Sequence, residues 1–286
     1  RSPDNDPDKP ARVRYRSLAN GRREDKFEEL KTVSLGGKGW VDGASDWRAP
    51  FLPEHAGGWA DFVPLDQLLG SNGPGVKAGR TWVIAPDALT LVRRWDRLIG
   101  EPSQEERAKQ FENKTGDRHI AKAAKALPGV HDILPAIESL LDERKNPATK
   151  AKADQELRIR PPISYAFRSF DRQWIIPDSR VIDRNRPGLW SEHSKSQVYL
   201  TGLMAHSPTV GPAITFSALI PDNDHYKGSF GGSVFPLWED AAATKSNIAY
   251  GAMKALTKQL GAAPKPEDAF AYVAALLANP AYTEKF

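Results

Sequence analysis

The sequence predicts an α+β fold: a mostly antiparallel mixed sheet joined to a helical spacer and C-terminal helices. Three observations lead there. Between residues 159 and 237, short apolar or alternating runs recur between Pro, Gly, Asp and Asn, the texture of short strands separated by turns. Residues 87–150 instead space their apolar side chains as a helix does, and that spacing returns after Ser246. With 286 residues, 40% of them hydrophobic and 27% charged, the chain has apolar material for one large core or two smaller ones. Three regions are expected. Residues 1–86 form an N-terminal linker and an irregular Trp/Gly/Pro-rich segment packing on the sheet, 87–158 the helical spacer, and 159–286 the sheet with its C-terminal helices.

In chain order, the polar, Pro-rich residues 1–10 open without Met and read as a flexible linker cut from something longer. Val13, Tyr15 and Leu18 alternate as a short strand, and 22–31 read as a short helix with Phe27 and Leu30 on one side. From 34 to 79 Gly and Pro forbid long regular elements, so Trp40, Trp47 and Trp59 are expected to anchor irregular chain. Trp82-Val83-Ile84 reads as a buried strand. A helix begins near Asp87 with Leu91, Trp95 and Leu98 inward, and 103–126 continue in a polar, mostly helical pattern bearing Lys109, Lys114, Arg118, Lys122 and Lys125. Asp132 is placed to cap a helix striped by Ile133, Ile137, Leu140 and Leu141, while 145–152 read as exposed loop. Five strands follow, at 164–168, 173–176, 197–201, 213–217 and 233–237. Ser246 is expected to cap a helix that Gly261 stops, and Pro266 with Glu267 and Asp268 opens a last helix with Phe270, Val273, Ala274 and Leu277 inward.

Charge and motifs narrow the chemistry. A net charge of +4 and a pI near 9.1 are mildly basic, so any nucleic-acid footprint must be a local patch. The absence of Cys excludes disulfides and thiolate metal sites. No run reaches the roughly 18 apolar residues that span a bilayer, and a cytoplasmic protein is expected. Gly37-Lys38 lacks the flanking residues of a Walker A loop, and the dinucleotide-like start at Gly37 ends in Asp42 with no strand feeding it. His55, His119, His131, His193, His206 and His225 lack ligand spacing. Glu143-Arg144-Lys145 supplies half of a metal-nuclease motif, but Pro86-Asp87 lies far off across the helical segment. Gly-x-Ser-x-Gly is missing, and Arg160-Pro161-Pro162-Ile163 lacks the Asn and Tyr with which amino methyltransferases hold a flipped base.

Residues 160–190 interleave Arg160, Arg168, Arg172, Arg180, Arg184 and Arg186 with Tyr165, Phe167, Phe170, Trp174 and Trp190. Guanidinium forks suit phosphate oxygens and guanine edges. A strand pair with a basic solvent face accounts for the same residues.

The order of landmarks says more. Tyr15-Arg-Ser-Leu18 with Gly21-Arg-Arg-Glu-Asp-Lys26 comes first, then Gly75-Val-Lys-Ala-Gly-Arg80-Thr-Trp-Val83, then Phe167-Arg-Ser-Phe-Asp-Arg-Gln-Trp174. After these come Arg186-Pro-Gly-Leu-Trp190, Ile220-Pro221-Asp222 with His225, Val234-Phe-Pro-Leu237, and Asp268-Ala-Phe-Ala-Tyr-Val273 leading to Asn279-Pro-Ala-Tyr282. Over nearly the whole chain this set resembles the C-terminal target-recognition region of Type ISP restriction-modification enzymes and related adenine-specific DNA methyltransferases. It departs from that pattern at Thr81, where Asp usually follows the Arg, and at Ala166.

The resemblance implies a DNA target-recognition module, non-catalytic alone, that binds double-stranded DNA sequence-specifically beside the methyltransferase region of the parent polypeptide. It implies no cofactor in this part, with S-adenosylmethionine held by the methyltransferase part. The candidate DNA contacts are Arg168, Arg172, Arg180, Arg184, Asn185, Arg186, Lys195, His225, Tyr226 and Lys227, with Lys77 and Arg80. Gln197, Asn223 and Asp224 could address adenine or cytosine. Pairing to Asp171, Asp178 or Asp183 is the competing role for the arginines, and Phe167, Phe170, Trp174 and Trp190 are expected in the core. Residues 228–232 are expected to turn a hairpin, and 87–150 to act as a spacer with incidental phosphate contacts. The alternatives are a structural coupling domain of the same enzyme and, least favoured by these motifs, a metal-dependent nuclease.

Overall fold

A computed structural model of the chain describes residues 12–19, 21–43, 63–112, 119–127, 133–203, 214–226 and 231–283. It divides into two units, Arg1–Val63 and Pro64–Phe286. In the first unit, β1 (Arg14–Tyr15), α1 (Arg23–Thr32) and β2 (Val41–Asp42) follow in order, with β1 and β2 antiparallel. Glu24 and Asp25 in the first turn of α1 and Lys31 in its last match the helix dipole. Trp40 donates its indole N–H to the Ser34 carbonyl at 2.8 Å, which folds the intervening turn back. Trp47 and Trp59 lie outside the described residues.

The second unit opens with α2 (Leu65–Leu68), β3 (Gly73–Pro74), β4 (Ile84–Ala85), α3 (Ala88–Gly100) and α4 (Gln104–Phe111). A small hairpin, β5 (Ala124–Lys125) and β6 (Ile133–Leu134), precedes α5 (Ile137–Glu143) and α6 (Pro147–Glu156). Then come β7 (Ile163–Arg168), β8 (Asp171–Ile175), α7 (Pro187–Ser191), β9 (Tyr199–Leu203), β10 (Ile214–Ser217) and β11 (Gly232–Pro236), and the unit closes with α8 (Tyr250–Leu260), α9 (Pro266–Leu277) and α10 (Pro280–Thr283). All ladders between named strands are antiparallel, and the fold is α+β. The five expected strands form, yet they divide between two sheets, ordered β4-β8-β7 and β10-β9-β11-β3.

Helix ends follow capping chemistry more closely than charge. Asp87 accepts from the Thr90 N–H at 2.7 Å and starts α3, as expected. Residues 145–152, expected as loop, enter α6 because Asn146 caps it and Pro147 occupies its first turn. Ile133 does not join a helical stripe: it pairs with Lys125 in the β5–β6 hairpin, which also breaks the helical pattern expected through 126. Lys114, Arg118 and Asp132 lie outside the described residues. Thr81–Val83 form a 3-10 turn, so the expected strand there shrinks to Ile84–Ala85. Ser246 accepts from the Ile248 N–H, short of α8, whereas Gly261 ends α8 at φ 73°, a left-handed position that favours glycine.

One core gathers Val76, Ala78 and Val83, then Leu91, Trp95, Leu98, Ile137 and Leu140 from the helices, then Tyr165, Ile175, Ile182, Ile220 and Val234. The helical segment shares this core, which includes residues on both sides of 86 and of 158. A second cluster, with Leu200, Phe235, Leu237 and Phe270, packs the C-terminal helices on the four-stranded sheet.

The two sheets meet along residues 220–222. Pro221 bridges in parallel to Ala166 and Asp222 to Val76. A Cβ at Gly75 would lie 2.5 Å from the Asp222 carbonyl carbon and oxygen, so this crossing needs a residue without a side chain.

Candidate nucleic-acid interface

The structure sorts the candidate residues by depth. Arg180, only 1% exposed, forks onto Asp178 (Nε–Oδ1 3.0 Å, Nη2–Oδ2 2.7 Å), donates to the Pro135 carbonyl at 3.2 Å, and lies over the Trp95 ring. Arg80 is equally internal, donating to the carbonyls of Phe111 (3.1 Å) and Val181 (2.9 Å) and to Glu112 (3.2 Å). Both were expected at DNA, and both are internal clamps, because each finds a carboxylate and carbonyls inside the unit.

Asn185 is buried, and its carbonyl accepts from the Trp190 indole. Gln197 is likewise spent on the backbone: its amide donates to the Glu192 and Trp238 carbonyls and accepts from the N–H groups of Leu237 and Trp238. Tyr226 donates its hydroxyl to the Thr201 carbonyl. His225 is 2% exposed. Its Nδ1 faces the Ala166 carbonyl at 3.3 Å, so Nδ1 carries the proton and Nε2 accepts from the Thr215 hydroxyl at 2.8 Å. Burial lowers its pKa, the Ala166 contact opposes that shift and the Arg168 charge adds to it, leaving the ring neutral at pH 7. It cannot serve as a cation toward phosphate. Lys227 and residues 228–230 lie outside the described residues.

The remaining candidates reach the surface. β7 and β8 form a hairpin whose tip is Ser169 and Phe170, with a register shift between Ala166 and Arg168. Ser169 ties the tip down, donating both its N–H (2.9 Å) and its hydroxyl (3.2 Å) to the His225 carbonyl. Arg168 stacks on the Phe167 ring at 3.9 Å and donates to Asp222 Oδ1 at 2.9 Å, while Arg172 on β8 is exposed. Asp222 in turn accepts from the Tyr165 hydroxyl at 2.7 Å. Burial raises the Asp222 pKa, and the bond from Tyr165 and the Arg168 charge oppose that rise.

A second basic group stands beside the first. Lys77 and Arg184 exchange backbone hydrogen bonds (3.0 and 2.9 Å) as a directly opposed antiparallel pair, which sends both side chains to one face. Arg186 follows in a left-handed conformation, φ 51°, and donates from Nε to the Gly75 carbonyl at 3.4 Å. Burial and then the Arg184 charge lower the Arg186 pKa. Lys195 is exposed but lines neither cavity described below.

Two cavities connect these groups. One, of about 380 Å³, has Lys77, Gly79, Arg168, Gln173, Asp222 and Asp224 in its wall. The other, of about 490 Å³, runs past Arg168, Phe170, Arg172, Thr215 and His225 to Leu277 of α9. Arg168 belongs to both walls and so links Lys77 in one to Arg172 in the other, while Arg184 and Arg186 line neither. Between the cations stand Gln173 and Asp224, groups able to pair with base edges. Gln173 was not singled out in the sequence, although strict alternation along β8 sets it on the face opposite Trp174. Phe167, Trp174 and Trp190 pack against the core as expected. Phe170 does not: it is 98% exposed, because a turn residue between paired strands has no core face. Among the described residues no group of three or more His, Cys, Asp or Glu is set to hold a metal ion, and no helix is long and apolar enough to cross a membrane.

Residues 67–286 match the Type ISP C-terminal specificity domain. This chain belongs to that family. A search of curated proteins finds no match. Among solved structures, the specificity domain is similar to the DrdV–DNA complex determined by cryoEM, with a TM-score of 0.56, 18% identity and 96% of this chain covered. It is also similar to the ATP-dependent Type ISP restriction-modification enzyme LlaBIII bound to DNA, with a TM-score of 0.51, 15% identity and again 96% covered. The specificity domain spans 27% of the first of those chains and 18% of the second.

Proposed function

We propose that this specificity domain reads double-stranded DNA sequence-specifically and is non-catalytic alone, orienting the duplex so that a separate methyltransferase region can flip and methylate an adenine. S-adenosylmethionine would be held by that region. The observation that carries the reading is a local basic surface: Lys77 and Arg184 sit opposite each other on one face, Arg168 lines both cavities and the exposed Arg172 one of them, with Gln173 and Asp224 in the cavity that Lys77 and Arg168 share. Clustered cations favour a polyanion, and polar groups set among them can discriminate base edges once phosphates fix the register. That both similar structures are DNA complexes supports the same reading.

The test is a titration of the full chain against random duplex pools at two salt concentrations. Enrichment of particular sequences that survives added salt is the expected result, while uniformly weak, salt-sensitive binding would favour a structural coupling role. Arg172→Ala, Arg184→Ala and Lys77→Ala should each weaken binding, and each phosphate contact removed should lower the salt slope by about one. Their unfolding transitions should stay within about 0.5 kcal/mol of the parent, as for other surface substitutions.

A further inference from the structure

Phe170 is the most exposed large hydrophobic side chain among the described residues, at 98%, and it sits at the tip of a hairpin in the middle of the basic surface. Its sequence neighbours are polar or charged: Ser169 and Asp171 adjacent, Arg168 and Arg172 two residues away on either side. Beside it, the 490 Å³ cavity carries Ile214 and Phe216 of β10 and Leu277 of α9 together with Arg168 and Arg172, so the ring stands where apolar and basic surface meet. The tip is also held firmly. Ser169 makes two hydrogen bonds to the His225 carbonyl, and Arg168 is fixed between Asp222 and the Phe167 ring. The ring therefore projects from an anchored base, and ordering it on contact costs little conformational entropy.

We infer that Phe170 is a wedge that inserts between adjacent base pairs of duplex DNA while the arginines beside it hold the phosphates. The inference rests on the proposed DNA reading and adds a distortion to it. Apolar side chains presented among cations unstack a base step and kink the duplex, and an unstacked step makes extrusion of a nearby base easier.

The probe is a duplex enriched from the random pool, carrying 2-aminopurine at successive positions, and its fluorescence rises where stacking is lost. The unaltered chain should raise the signal at one step. Phe170→Ala should abolish that rise and weaken binding on the order of tenfold, the scale of one lost aromatic–base contact. Phe170→Leu, which keeps a wedge, should retain most of the rise. Arg172→Ala should lower the salt slope and leave the rise at the same step. Because Phe170 touches no core, its variants should unfold at the same temperature as the parent. If Phe170→Ala binds and unstacks as the parent does, the wedge is overturned and the DNA reading stands. Should the parent bind no duplex at either salt concentration, both fall together.

Discussion

At the residue scale, arginines of one composition perform opposite tasks, and depth decides which. Arg180 is tied into the interior by a carboxylate, two carbonyls and the face of a ring. Its removal would leave Asp178, which has no exposed surface, with the backbone N–H of residue 180 at 2.9 Å and Arg160 at 4.0 Å. Arg180→Ala is therefore expected to destabilise the chain by about 3–5 kcal/mol, measured by urea unfolding, and Arg180→Met with Asp178→Asn should recover part of that loss. Arg172→Ala should be nearly silent in the same experiment. The sequence could not separate these two arginines, because alternation along a strand indicates a face and not how much chain lies above it. Asp178, two residues from Arg180, was the one visible hint of an internal pair. Phe170 misled for a related reason, since aromatic character predicts burial unless the residue falls on a turn.

The five strands between 163 and 236 were legible because each is a short apolar or alternating run set off by Pro, Gly, Asp or Asn. Their division into two sheets was not. That division depends on β3, only Gly73 and Pro74, and on residues 220–222, which pair with chain more than fifty residues away. Two-residue strands such as β5 and β6 leave no periodic trace, and the charged start of α6 hid the Asn146–Pro147 cap. Gly75 carries a prediction at this scale. With 2.5 Å available to a Cβ against Asp222 backbone, Gly75→Ala must push the crossing segments apart. A loss of about 1–3 kcal/mol is expected, typical of overpacking. Because Asp222 also holds Arg168, DNA binding should weaken in that variant even at temperatures where it remains folded.

For the molecule as a whole, the buried ionisable groups set a pH window. His225 has a folded pKa below its ordinary value of about 6.5, so on acidification the unfolded chain takes up its proton first and stability falls. Asp222, raised by burial, acts with the opposite sign: its contribution is present below the ordinary carboxylate range and is lost as pH rises through the raised value. Tyr165 is raised well above 10 by burial and by Asp222, so its contribution is lost only in strong alkali. Relative to His225→Gln, the parent should therefore lose stability between about pH 7 and about pH 5, read as the difference between their urea midpoints. A difference between the two midpoints that stays constant over that interval would remove His225 as a contributor.

The crossing at 220–222 also governs how specificity could be exchanged between relatives. Val76 and Ala166 both grip that short segment, and their side chains and those around them are buried in the shared interior. A chimera joined near 86 or 158 would match half of one interior to half of another, and mispacked interiors fail before any base is read. Substitutions confined to the exposed positions Phe170, Arg172 and Arg184 leave the crossing at 220–222 native. On the proposed DNA reading, target choice would be exchanged at the tips, with the body inherited whole.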